Sequence, residues 1–204
     1  MRLACKKVFF RDYVFYVCEN VYEPSEDSFL FAENLAVRKG DFVLDVGTGC
    51  GILGVVAAKE ASMVIAVDIN PYAVRCAKEN AELNGVIDKM FFVRGDLFSP
   101  FRMDGRFDLI LFNAPYLPVE FSEGVSWIEH AWAGGEKGRR VIDRFIREAP
   151  RHLGRGGRIF LMQSTLVGVE ETLEGFAREG LKASVVAKRN LPFFETLVLV
   201  KAER

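Results

Sequence analysis

The chain has 204 residues, half of them hydrophobic, with 27 basic and 28 acidic side chains and a formal charge of −1. That length can bury a full core, and the near-neutral charge excludes a general electrostatic pull toward nucleic acid, which is disfavoured as a partner. No run of about 18 apolar residues is present, which excludes a helical membrane span. Lys6, Lys7 and Arg11 do not stand in the order of a signal peptide, so the expected setting is cytoplasmic.

Residues 8–17, VFFRDYVFYV, are aromatic and β-branched and predict a hairpin, although Arg11-Asp12 is a weak turn signal. A hairpin over residues 6–17 sets Cys5 opposite Cys18, at a spacing a disulfide could span. In a reducing compartment both are nevertheless expected to be ordinary thiols. Together with Cys50 and Cys76 they form no C-x-x-C pair, and only two histidines accompany them, so no metal site is assigned. Next comes VYEPSEDSFLFAENL, in which Pro24 and Ser25 mark a helix start. Glu26 and Asp27 suit its first turn, and Phe29, Leu30 and Leu35 supply an apolar side.

The stretch from Phe42 to Gly54, FVLDVGTGCGILG, predicts a buried strand that turns through Gly47, Gly49 and Gly51 into a helix over Ile52–Lys59. Such a turn lets backbone approach a ligand closely and aims helix N–H groups at something anionic, which points to a nucleotide-type cofactor. Gly49, Gly51 and Gly54 also spell the G-x-G-x-x-G of NAD-binding proteins, with Asp68 at a suitable distance for a ribose. Spacing does not separate the two. Asp45, where strand meets loop, favours S-adenosyl-L-methionine, because a carboxylate there suits an ammonium and would repel a pyrophosphate.

Further strands are predicted at Met63–Val67, Met90–Arg94, Phe107–Phe112, Arg158–Gln163, Lys182–Ala187 and Thr196–Lys201. Helices are predicted over 71–84, from Gly138 to His152 and over 168–179, and a loop over 117–135. Asn70-Pro71 and Asn84-Gly85 are good start and stop signals for the first of these helices. Strands alternating with helices, without a repeat or low-complexity break, predict an α/β fold with a doubly wound, mostly parallel seven-stranded sheet, Rossmann-like, preceded by an N-terminal β-hairpin and helix. The expected organisation is one domain over 1–204, with residues 1–38 an extension and 41–204 the sheet. Ligands in such sheets bind beyond the carboxyl ends of the strands, where Asp45, Asp68, Asp96 and Asn113 all fall.

Asp68 could accept hydrogen bonds from two ribose hydroxyls, and Asp96 from an exocyclic adenine amine, with Ile69 and Leu97 flanking the ring. Asn113-Ala114-Pro115-Tyr116 follows an apolar strand at once. Pro115 biases Ala114 toward an extended backbone, so the Asn113 amide oxygen and the Ala114 carbonyl could grip both hydrogens of a planar –NH₂ group, with the Tyr116 ring against its plane. Holding such a nitrogen in line with a sulfonium methyl would localise its lone pair and lower the barrier to transfer. No general base is needed beforehand, because the proton becomes acidic only as the new bond forms. The same grip would serve an adenine N6 amine. For that alternative the series Lys137, Arg139, Arg140, Arg144, Arg147, Arg151, Arg155 and Arg158 would be a phosphate track, although Glu136, Asp143 and Glu148 among them suit a solvated helix face better.

On DVGTGCG at 45–51, VDIN at 67–70, GDLF at 95–98 and NAPY at 113–116, the sequence resembles the class I S-adenosylmethionine-dependent methyltransferases, and among them the HemK-type glutamine N5-methyltransferases of translation release factors. VYEPSEDSFL at 21–30 and AWAGGEKGRRVIDRF at 131–145 look like the short archaeal and eukaryotic branch. The family usually reads Asn-Pro-Pro-Tyr, so Ala114 is a departure, and Cys50 replaces a commoner small polar residue. The resemblance implies S-adenosyl-L-methionine as cofactor, held by Ser28, Asp45, Gly47, Thr48, Gly49, Gly51, Asp68, Ile69, Asp96, Leu97 and Asn113. It implies Asn113, Ala114, Pro115 and Tyr116 as the catalytic segment, and as substrate the glutamine of a Gly-Gly-Gln loop in a class I release factor. It also implies a small zinc-binding activator protein that adds a strand at the sheet edge, here Met90–Arg94.

Overall fold

The computed structural model describes residues 5–102, 106–119, 126–192 and 195–204. Strands β1 (Lys6–Phe10) and β2 (Tyr13–Val17) form the expected antiparallel hairpin. Arg11 turns it with φ 50°, a left-handed conformation that costs a non-glycine residue energy, which is why Arg-Asp signals a turn so weakly. The register pairs Lys6 with Val17, so one step further Cys5 meets Cys18. The two are joined as a disulfide with Cα atoms 4.3 Å apart, which corrects the expectation of free thiols: the antiparallel register alone brings the sulfurs together.

Helix α1 (Glu26–Glu33) follows, then the alternating series β3 (Phe42–Val46), α2 (Ile52–Ala57), β4 (Met63–Asp68), α3 (Pro71–Leu83), β5 (Met90–Arg94) and β6 (Phe107–Asn113). The Asn70 side chain accepts from the Tyr72 N–H and caps α3, as its Asn-Pro start implies. A short helix, α4 (Trp127–Trp132), then corrects the expected loop over 117–135, of which 120–125 lie outside the described residues. Ser126 and Glu129 close a reciprocal capping box that satisfies two N–H groups at its start. Helix α5 (Arg140–Glu148), β7 (Leu153–Ser164), α6 (Val169–Arg178), β8 (Lys182–Asn190) and β9 (Thr196–Glu203) complete the series. Strand β7 begins five residues earlier than expected, with Gly156-Gly157 taken into the strand at a register shift against β6.

The seven-stranded sheet runs β5-β4-β3-β6-β7-β9-β8, and every pairing is parallel except those of β9. Strand β5 therefore lies at one edge, as expected, with Phe91 half exposed. Side chains alternate between the two faces of the central strands. Val43, Leu109, Leu111, Phe160 and Met162 join the hairpin, α1, α2 and α3 in one core. Leu44, Ile110, Phe112, Ile159 and Leu161 pack with α5 and α6 in the other. By the same alternation Asp45, Asp68 and Asn113 all fall on the first of these faces.

Candidate active site

Beyond the carboxyl ends of β3, β4 and β6, and beside the N-terminus of α1, lies a cavity of about 420 Å³. That size suits a small-molecule site. Gly47, Thr48 and Gly49 form one wall, Asp68 and Ile69 a second, Asp96 and Leu97 a third, and Asn113 to Tyr116 a fourth. Ser28, also expected there, lines it from α1.

Two expected contacts are placed elsewhere. Asp45 shares the sheet face of Val43 and Asn113 but sits level with Leu111, one residue before the end of β3, so its side chain lies beneath the glycine loop rather than on the cavity wall. One carboxylate oxygen accepts from Thr48 Oγ1 at 2.6 Å and from the Gly54 N–H at 3.0 Å. The residue is fully buried, and desolvation pushes its pKa up to about 7 despite those two hydrogen bonds, with Asp68 adding repulsion. Asp45 thus braces the loop through one oxygen, its other oxygen, Oδ1, is buried without a hydrogen-bond partner, and, contrary to expectation, the residue does not line the cavity. Gly51 also stays outside the cavity. It starts α2 at φ 88°, and a Cβ there would stand 3.0 Å from Ala77 Cα and Cβ, so glycine lets α2 approach α3. Gly54 has the same use, because a Cβ there would meet Asp45 Oδ2 at 2.9 Å and Met90 Cε at 2.8 Å.

Asp68 closes β4 and accepts the Gly49 N–H on one oxygen and the Asn70 N–H on the other, both at 2.9 Å. Burial raises its pKa against the pull of these bonds. Each oxygen keeps a lone pair, so the carboxylate can hold the loop and still accept from a ligand diol. Asp96 is engaged by the Arg144 guanidinium at 2.5 Å, and Arg144 also reaches Glu148 at 2.8 Å. Leu97 beside it adopts φ 47°.

The Asn113 tip is built differently. Parity puts it on the face of Leu109 and Leu111, the face that α1 covers. There its Nδ2 donates to Asp27 Oδ2 at 3.1 Å and to Ser28 Oγ at 3.2 Å. The carboxylate can only accept, which fixes the amide with its nitrogen toward α1. Its oxygen, Oδ1, is buried without a hydrogen-bond partner and belongs to a residue on the cavity wall. Asp27 Oδ1 in turn takes the Ser28 N–H at 2.6 Å and Ser28 Oγ at 3.1 Å. The Tyr116 hydroxyl keeps its proton: burial, then Asp27 and Tyr22, hold its pKa above the usual range.

Sequence reading placed Asp27 in a helix's first turn without a role at the site. Its proximity to Asn113 depends on how α1 docks, which no local pattern states. Trp127, His130 and Trp132 of α4 also line the cavity and were not expected there. The Ser126-x-x-Glu129 spacing could have revealed that helix. The proposed phosphate track is broken up: Arg158 is buried against Asp41 at 2.6 Å, Arg139 pairs with Asp143 at 2.7 Å, and Arg144 turns to Asp96.

Among known families, residues 28–115 match the one described as ribosomal protein L11 methyltransferase. Over 181 residues the chain is 44% identical to a Methanocaldococcus jannaschii protein provisionally named as a protein N5-glutamine methyltransferase, covering 88% of this chain and 90% of that one. Against human methyltransferase HEMK2 it is 36% identical over 197 residues, 89% of each chain. Among solved structures it superposes with TM-score 0.70 and 25% identity on a chain of the E. cuniculi Mtq2-Trm112 complex, described as responsible for methylation of the eRF1 translation termination factor. That match covers 91% of this chain and 99% of the other.

Proposed function

The chain belongs to the HemK-type protein-glutamine N5-methyltransferases, and from that premise we propose that it methylates the side-chain amide nitrogen of the glutamine in the Gly-Gly-Gln loop of a class I translation release factor. The observation that carries this reading is the Asn113 amide, tied down through its nitrogen, with a buried oxygen that has no hydrogen-bond partner, in a residue that lines the cavity. A fixed acceptor of that kind suits a planar –NH₂ group.

The cavity fits S-adenosyl-L-methionine. Asp68 would hold the ribose hydroxyls, Asp96 with Ile69 and Leu97 the adenine, and Gly47, Thr48, Gly49 and Ser28 the methionine end. A Cβ at Gly47 would press on the Phe112 ring at 3.3 Å, so the wall there is bare backbone. When bound, that cofactor supplies an electrophilic methyl on a sulfonium. This chain's residues do the rest. Asn113 Oδ1 and the Ala114 carbonyl accept the two N–H bonds of the substrate amide, Tyr116 packs on its plane, and Pro115 keeps the segment extended. Held so, the nitrogen's lone pair is drawn out of conjugation, and these acceptors favour the charge that develops on it. Ala at 114 can preserve the role of Pro, with some loss of rigidity, because that role belongs to the backbone oxygen.

A small zinc-binding activator protein would pair along β5, whose outer edge and exposed Phe91 invite an added strand. Incubation with labelled S-adenosyl-L-methionine and the release factor, with and without the activator, followed by mass mapping, tests the reading. Label on the Gly-Gly-Gln glutamine is expected. Label confined to lysine or to nucleic acid would sink it.

A further inference from the structure

Taking the Asn113 reading as its basis, we infer that Asp27 is a positioning residue for methyl transfer: its carboxylate, with Ser28, locks the Asn113 amide in the one orientation that presents Oδ1 to the substrate nitrogen. Asp27 is almost fully buried at the start of α1. A charge there is costly unless hydrogen bonds satisfy it. The Ser28 N–H donates to it at 2.6 Å and the Tyr22 and Ser25 hydroxyls at 3.5 Å, and the Asn113 and Ser28 side chains close a ring with it. One Asn113 N–H goes to Asp27 Oδ2 and the other to Ser28 Oγ, while the Ser28 hydroxyl proton goes to Asp27 Oδ1. Every donor in this ring has one acceptor, and the direction of each bond is dictated by the carboxylate, which has no proton to give.

Two consequences follow. A rotated amide would set its oxygen against the carboxylate and strand its N–H groups in the cavity, so the negative charge discriminates between the two orientations. A charge-assisted bond to Nδ2 also polarises the amide and makes Oδ1 a better acceptor as positive charge arrives on the substrate nitrogen. Helix α1 does not rest on Asp27 alone. Ser25 at the N-cap position makes no side-chain capping hydrogen bond and Asp27 takes the Ser28 N–H, but Glu26 supplies a second acidic residue in the first turn, and Phe31 and Leu30 anchor the helix in the core.

The test is a double-mutant cycle on D27N and N113A in the full chain, with S-adenosyl-L-methionine and the release factor as substrates. Asn at 27 keeps the shape but removes the charge that sets the direction of the ring. D27N is expected to lower kcat on the order of 10- to 100-fold, with little change in S-adenosylhomocysteine affinity, and to cost nothing further in the N113A background. S28A should also lower kcat, by less, and cost no further kcat in the N113A background, while its own contact at the methionine end lets S-adenosylhomocysteine affinity fall as well; the kcat cycle on S28A covers the case of an unstable D27N protein. A second readout needs no turnover: in the ligand-free protein, the ¹H–¹⁵N pair of the Asn113 side-chain amide, identified by its absence from N113A, should shift in D27N and exchange faster with solvent. Equal losses from D27N in both backgrounds, a loss confined to cofactor affinity, or an unmoved Asn113 signal would overturn this inference and leave the proposed function standing. An N113A protein with undiminished transfer would overturn both.

Discussion

The glycine loop and the Asn113 segment face each other across one cavity, but they are held by different means. The loop is braced by its own neighbours: Thr48 and Gly54, three and nine residues from Asp45, fold back onto that one buried carboxylate. Asn113 is held by Asp27 and Ser28, which lie 86 and 85 residues earlier in the chain. A support within ten residues leaves a compact motif. A support from another helix exists only once both elements dock on the same face of the sheet.

Substitutions can break each support separately. The largest effect is expected at the distant one: N113A should lower kcat by about 10²- to 10³-fold, the cost of losing one preorganised group at a developing charge. Single-turnover methylation of the release factor measures it, and full activity would remove the segment from the mechanism. At the local support, G51A should destabilise the fold by about 1–3 kcal/mol, combining the left-handed backbone with overpacking against Ala77. Urea denaturation checks this, and an unchanged midpoint would show that α2 and α3 can part at no cost.

The brace itself should be legible in a pH series. Burial raises the Asp45 pKa to about 7 from an ordinary value of 3.8, so the folded state holds its proton more tightly than the unfolded one. Its stabilising contribution is therefore full below the unfolded value and is lost as pH rises to about 7. D45N should flatten that part of the stability profile in denaturant melts at successive pH values; an unaltered slope would mean that another group sets it. The smallest effect belongs to a third tip, where Arg144 reaches Asp96 from α5. R144A should weaken S-adenosylhomocysteine binding by no more than about fivefold, because a half-exposed ion pair contributes little. Titration calorimetry would detect a larger loss, which would mean that Arg144 orders the adenine wall.

Much of this molecule was legible in advance, for reasons of range. The sheet strands follow from short apolar runs, and α3 from Asn70-Pro71 and Asn84-Gly85, because those signals act over a few residues. Asp68, Asp96 and Asn113 reach the cavity as expected, since a strand's carboxyl end is set by where its apolar run stops. Asp45 escaped the same logic. It shares the sheet face of Asp68 and Asn113 but lies level with Ala66 and Leu111, two residues deeper than those tips, where the glycine loop and α2 cover it. Helix α4 hid behind Gly and Trp residues, although its capping box stood in plain order.

By itself the sequence determined the order of strands and helices, the glycine turn and the polar tetrapeptide after β6, all of them products of backbone propensity and hydrophobic period. Only the tertiary structure decided which tips face the cavity and that Asp27 and Ser28 meet Asn113. Those depend on how deep along its strand a side chain lies and on which element covers that face of the sheet. Such relations join residues far apart in the chain, and no local pattern encodes them.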